Sequence, residues 1–122
     1  MEGLYQYSLL GSGDFNVALA LLNKNSLHCK MTKEHKESLN KFIGNAKNLR
    51  IGYFPTTIRH LFQGSKVNRG YVDRHLILVK HRYDTYKHLI KNKDGLIIFS
   101  KYAPNELKQD IKSYFQNRLE DE

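Results

Sequence analysis

The sequence predicts an α/β fold, a three-layer α/β/α sandwich around a five-stranded, mainly parallel, Rossmann-like sheet. Three observations point there. Short β-prone runs alternate with helical patterns along the chain, an order that implies right-handed crossovers and helices on both faces of a sheet. Two of the runs, Leu76-Ile77-Leu78-Val79 and Leu96-Ile97-Ile98-Phe99, are apolar at every position, as central strands of a parallel sheet are. The first run stops at a glycine turn, Gly11-Ser12-Gly13. A length of 122 residues with 40% hydrophobic content suits one core, and half that length would need a metal or disulfides that nothing here supplies.

Taken in order, Leu4 to Leu10 reads as the first strand. After the glycines, Asp14 can cap a helix through Asn23 whose apolar run FNVALALL marks it as buried nearly all round. Ser26 to Met31 is a short second strand. Thr32 then caps a helix to about Asn48, with Leu39, Phe42, Ile43 and Ala46 on one face and Lys33, Lys36, Glu37 and Lys47 on the other. Leu49 to Phe54 is the third strand, ended by Pro55, which cannot donate to a ladder. Ile58 to Phe62 is one helical turn, and Gln63 to Gly70 an exposed, glycine-bounded loop. Tyr71 to Lys80 is the fourth strand, and Tyr83 to Asn92 a helix with Tyr83, Tyr86 and Ile90 inward. Lys93-Asp94-Gly95 makes the turn into the fifth strand, Leu96 to Phe99. Pro104, at a first helical position, opens a last helix whose inner face is Leu107, Ile111, Tyr114, Phe115 and Leu119.

The net charge of +8 is concentrated in the middle of the chain. Residues 41 to 93 carry twelve Lys or Arg against Asp73 and Asp84 only, whereas the first forty residues are balanced and the last twenty-nine are slightly acidic. Such a concentration is the footprint of a surface for RNA or another polyanion, because each phosphate contact releases condensed counterions; a solvated charged face is the plainer reading. Lys66, Arg69, Lys80 and Arg82 are the candidate nucleic-acid contacts, since KVNRGY and Lys80-His81-Arg82-Tyr83 interleave cations with aromatics on which bases can stack. The single cysteine, Cys29, is expected to be a small buried hydrophobe, and together with scattered histidines it forms no zinc set. No run approaches the ~18 apolar residues of a membrane span, and no signal core opens the chain, so an intracellular, cytoplasmic or nuclear, protein without a membrane partner is expected.

In a doubly wound sheet the ligand lies beside the carboxyl end of the first strand, so the glycine turn is the expected site. Gly11 and Gly13 let the backbone approach a ligand, and the helix that follows presents free N–H groups. The stretch Leu9-Leu10-Gly11-Ser12-Gly13-Asp14-Phe15-Asn16-Val17-Ala18-Leu19-Ala20-Leu21 resembles the first motif, G-E-G-D-F-S-F-S-L-A-L, of the ribosomal-RNA uridine-N3 methyltransferase-like family of S-adenosylmethionine-dependent methyltransferases. Val72-Asp73-Arg74-His75-Leu76-Ile77-Leu78-Val79-Lys80-His81 resembles that family's fourth strand, F-D-R-I-I-F-N-F-P-H. The resemblance spans Leu4 to about Phe99. It implies a single methyltransferase-like domain with S-adenosylmethionine at Gly11, Ser12, Gly13, Asp14 and Phe15, with His81 and Lys80 as catalytic residues, and with RNA as substrate. The chain departs from the family at the second strand, where Glu34 is the nearest acid. It departs again at Phe54-Pro55-Thr56-Thr57, which lacks the family's Asp, and at Leu78-Val79-Lys80-His81, which keeps only the histidine.

Two other readings stand beside a methyltransferase. One is a non-catalytic nucleic-acid-binding or regulatory protein that kept the fold. The other is a small metal-independent ribonuclease in which His81 or His60 removes a 2′-hydroxyl proton beside Lys80 or Arg82. Among the remaining histidines, His75 reads as a half-buried residue satisfied by one hydrogen bond. An open edge at the fifth strand would favour a homodimer.

Overall fold

The computed structural model describes residues 4–24, 30–59, 61 and 65–119. Its elements in chain order are α1 (Gly13–Leu21), α2 (Lys33–Ala46), α3 (Arg74–Lys80), β1 (Leu89–Lys91), β2 (Ile97–Phe99) and α4 (Asn105–Gln116). The five-stranded parallel Rossmann-like sheet is therefore overturned: among the described residues the only sheet is two-stranded and antiparallel.

The reversal is clearest between Tyr71 and Phe99. The run at 76–79 forms α3, with Leu78 buried, Ile77 half-buried, and Leu76 and Val79 exposed. A short apolar run fits a short helix as readily as a buried strand, so its surroundings decide. Here the chain arrives already turning, since Arg69 N–H donates to Ser65 O at 3.0 Å, Gly70 N–H to Val67 O at 3.1 Å and Arg74 N–H to Gly70 O at 2.9 Å. The predicted helix at 83–92 is instead a turn followed by β1, because Asp94-Gly95 closes a local hairpin. Asn92 Oδ1 accepts from the N–H groups of Asp94 and Leu96, both at 2.9 Å, and Gly95 takes φ +79. Leu89 then faces Phe99 and Lys91 faces Ile97. That is a hairpin pairing by an Asp-Gly turn, and it is cheaper to close than a crossover between distant strands.

The first and third predicted strands pair with nothing among the described residues. Residues 5–8 have no regular structure, Tyr5 packing against α2, and Leu10 lies in a turn packed into the C-terminal core. Residues 49–59 have no regular structure, and Tyr53 and Phe54 lie almost fully in solvent. The second strand falls mostly outside the described residues, as do Cys29 and part of the turn at Ile58 to Phe62; Ile58, Arg59 and Leu61 are not helical.

Three helices form close to where they are predicted. Thr32 caps α2, its Oγ1 accepting from His35 N–H at 3.3 Å, and Leu39, Ile43 and Ala46 are buried at helical spacing. Pro104 stands at the N-cap of α4 rather than inside it, and Leu107, Ile111 and Tyr114 face inward while Phe115 and Leu119 do not. Helix α1 begins at Gly13, with Ser12 as N-cap, and buries only Asn16 and Ala20.

Two apolar clusters result. Tyr5, Ala20, Leu39, Ile43 and Ala46 form one between α1 and α2; Leu10, Leu78, Tyr83, Leu89, Leu107, Ile111 and Tyr114 form the other between α3, the hairpin and α4. Half-buried Tyr7 packs against both, and the Tyr83 hydroxyl donates to Tyr7 O at 3.2 Å. Among the described residues no helix is long and apolar enough to cross a membrane.

Candidate nucleic-acid interface

The glycine turn is left-handed at Gly11, with φ +96, and at Ser12, with φ +64. Arg74, 8% exposed, fills it: Nη2 donates to Ser12 Oγ at 2.8 Å, and a Cβ on Gly11 would stand 3.0 Å from Nη1. The backbone angle favours glycine here, and a Cβ would press on the end of the guanidinium. The Gly11 N–H donates to Ser8 O at 3.2 Å, and among the described residues no strand leads into the turn. Asp14 and Phe15 are exposed, the Asp14 carboxylate accepting from Phe15 N–H at 2.8 Å. Residues 11–15 line neither the cleft beside His81 nor the cleft beside Tyr86.

His81, Arg82 and Lys80 stand at the other end of α3, which closes in a Schellman turn. Tyr83 N–H donates to Leu78 O at 2.9 Å and Arg82 N–H to Val79 O at 3.0 Å, with Tyr83 and Leu78 in one apolar cluster. The left-handed position, usually glycine, is Arg82 with φ +47. His81 Nε2 lies 2.8 Å from Asp110 Oδ2 on α4, and Lys80 Nζ donates to the same oxygen at 2.9 Å. The hydrogen bond from His81, with Lys80 beside it, holds the Asp110 carboxyl below its ordinary value. Asp110 was not foreseen. It stands three residues after Leu107 and one before Ile111, on the edge of the α4 apolar stripe, and that helical position was the available signal.

His81 and Arg82 line an open cleft of about 430 Å³ that also takes in His88, Lys87 and Lys33. His88 is 6% exposed, its Nδ1 accepting from Asp84 N–H at 3.2 Å, and burial lowers its pKa. The Asp84 carboxylate is committed to the N–H groups of Tyr86 and Lys87, at 2.8 and 3.0 Å.

A second cleft, of about 420 Å³, opens on the other side of the turn at 84–88. Tyr5, Tyr7, Phe42 and Tyr86 wall it, and Lys41 and Lys91 are its cations. Tyr86 is 58% exposed and offers the accessible ring. Tyr5 holds the back wall, its hydroxyl 2.7 Å from Ser38 Oγ and its pKa pushed well up by burial. Successive ring contacts join the clefts: Phe42 to Tyr5 at 5.4 Å, Tyr5 to His35 at 6.1 Å, His35 to Tyr83 at 5.4 Å and Tyr83 to His88 at 6.3 Å.

Of the predicted nucleic-acid contacts, Lys80 and Arg82 are thus beside the histidine cleft, whereas Lys66 and Arg69 stand before the far end of α3. Lys66 is exposed; Arg69 and Arg74 both stack on Tyr71, at 4.7 and 4.8 Å from the ring centre. His75 is half-buried with Arg74 Nε donating to its Nε2 at 3.4 Å, and His60 lies outside the described residues. Among the described residues no group of three His, Cys, Asp or Glu is placed to hold a metal ion. No protein-family model, no curated protein and no solved structure matches this chain.

Proposed function

We propose that the protein binds single-stranded RNA, with bases held in the aromatic cleft and the backbone following the lysines around it. The carrying observation is the pairing of exposed Tyr86 with half-buried Tyr7 and Phe42 in a nucleoside-sized cleft with Lys41 and Lys91 beside it. Stacking on such rings contributes about 1–3 kcal/mol per base, and single strands expose the base faces that duplexes hide. The net positive charge of the middle of the chain supplies the sequence-independent remainder.

Fluorescence anisotropy with a labelled oligouridine tests this reading. Tyr86→Ala should weaken binding roughly tenfold, about the value of one lost stack. Lys41→Glu with Lys91→Glu should flatten the dependence of log affinity on log salt. An affinity that ignores Tyr86, or a flat salt dependence in the unaltered protein, would refute it.

A further inference from the structure

We propose that the cleft at the C-terminal end of α3 cleaves RNA by intramolecular transphosphorylation, with His81 as general base held by Asp110 as a positioning residue. The inference rests on the RNA-binding reading and assigns that RNA a reaction.

The two histidines of the cleft are held in different tautomers, and the difference gives them different parts. His81 Nε2 faces the Asp110 carboxylate at 2.8 Å, so in the neutral ring the proton is on Nε2 and the lone pair on Nδ1. Nδ1 has no hydrogen-bond partner among the described residues, on a ring that lines the cleft. A carboxylate behind the ring favours the imidazolium that forms when Nδ1 takes a proton, which is the arrangement a general base needs. His88 is reversed. Its Nδ1 accepts a backbone N–H, so the neutral ring carries its proton on Nε2, which has no partner among the described residues and is a fixed donor for a phosphate oxygen.

The nucleophile must come from outside the protein. Among the described residues no serine or cysteine lines this cleft, and the one hydroxyl that does, Thr32 Oγ1, donates to Tyr83 O and accepts from His35 N–H. A substrate that brings both an anion and its own hydroxyl answers this lining, and an RNA phosphodiester does so through its 2′-hydroxyl. Three cations, Lys33, Arg82 and Lys87, line the cleft with Glu34 and Asp84, and the Asp84 carboxylate already caps the turn at 84–88. Helix α2 runs from this cleft to the aromatic one, and Glu34 to Phe42 is eight residues, about 12 Å, so a short oligonucleotide can lie in both.

In the step, His81 Nδ1 takes the 2′-hydroxyl proton, the 2′-oxygen attacks phosphorus, and the P–O5′ bond breaks. The leaving 5′-oxygen takes a proton from water, and His81 returns its own to the hydroxide left behind. The products are a 2′,3′-cyclic phosphate and a 5′-hydroxyl, with no oxidant or cofactor consumed. His88 and the cations stabilise the added charge on the phosphorane oxygens.

The experiment incubates the full chain with a labelled oligouridine and with its all-deoxy counterpart, in EDTA, and reads termini by mass spectrometry and binding by anisotropy on the same samples. Cleavage leaving 2′,3′-cyclic phosphate, absent on the deoxy strand, is expected. His81→Gln should slow it at least about 100-fold while affinity stays within about twofold. Asp110→Asn should lower kcat about tenfold with KM within about twofold, and Asp110→Glu should recover part of the loss, a split that a merely structural role would not produce. RNA bound but uncut would overturn this inference and leave the binding reading standing. RNA neither bound nor cut would overturn both. Cleavage unaffected by His81→Gln would remove His81 from the role, and an unchanged kcat in Asp110→Asn would remove Asp110 from its own.

Discussion

The bend at Gly11-Ser12 and the bend at His81-Arg82 are both left-handed turns at a helix end, and they are made from opposite residue choices. At the first, glycine leaves room for a buried guanidinium from the same chain, so a motif that looks made for a ligand is filled by protein. At the second, the position that favours glycine carries an arginine whose head group lines an open cleft. Ser12, Asn23 and Leu119 also take left-handed angles without being glycine, so the contrast lies in what each bend faces, a buried guanidinium at one and an open cleft at the other.

Substitutions that exchange the two choices test that contrast. Gly11→Val should have the largest effect, a loss of about 2–3 kcal/mol in chemical denaturation. A β-branched residue is excluded at φ +96, and its Cβ would press on Arg74. Arg74→Ala in the same chain should restore only the steric part; full restoration would mean that the backbone angle is not the constraint. Next, Arg82→Gly should stabilise the fold by about 1 kcal/mol, because the left-handed cost disappears, while RNA affinity falls and the salt dependence flattens. A variant that is both more stable and equally tight would make Arg82 an accident of sequence rather than a contact.

The smallest effect concerns His88. Burial holds its pKa below the ordinary 6.5, so the unfolded chain binds more protons than the folded one between the two values. Stability should therefore rise with pH across that window and level off above it. His88→Gln should shrink this rise in melting temperature between about pH 5 and 7, and an unchanged slope would place the titration elsewhere.

What could be read in the sequence follows how local each determinant is. Thr32 with the spacing of Leu39, Ile43 and Ala46 specifies α2 within one element, and the Leu107, Ile111 and Tyr114 stripe does the same for α4. Asp94-Gly95 was legible as a turn but not as a hairpin, because Leu89 to Lys91 also carries helical spacing with Tyr83 and Tyr86; the pairing of Leu89 with Phe99 settles the choice. The run at 76–79 misled because a β-prone stretch becomes a strand only beside other strands, and Leu4 to Leu10 and Leu49 to Phe54 pair with none among the described residues. For the site, His81 and Arg82 could be picked out from a basic, aromatic-flanked stretch. Asp110 and the aromatic cleft could not, since Tyr5, Phe42 and Tyr86 meet only through tertiary packing.

Tyr83 is fully buried, stacks edge-on against His35 of α2, donates its hydroxyl to Tyr7 O and accepts at its carbonyl from Thr32. One ring thus ties the N-terminal helices to the α3–α4 half. The two halves should consequently lose amide-exchange protection together, as one cooperative unit, so that damage to either cluster is felt across the whole molecule.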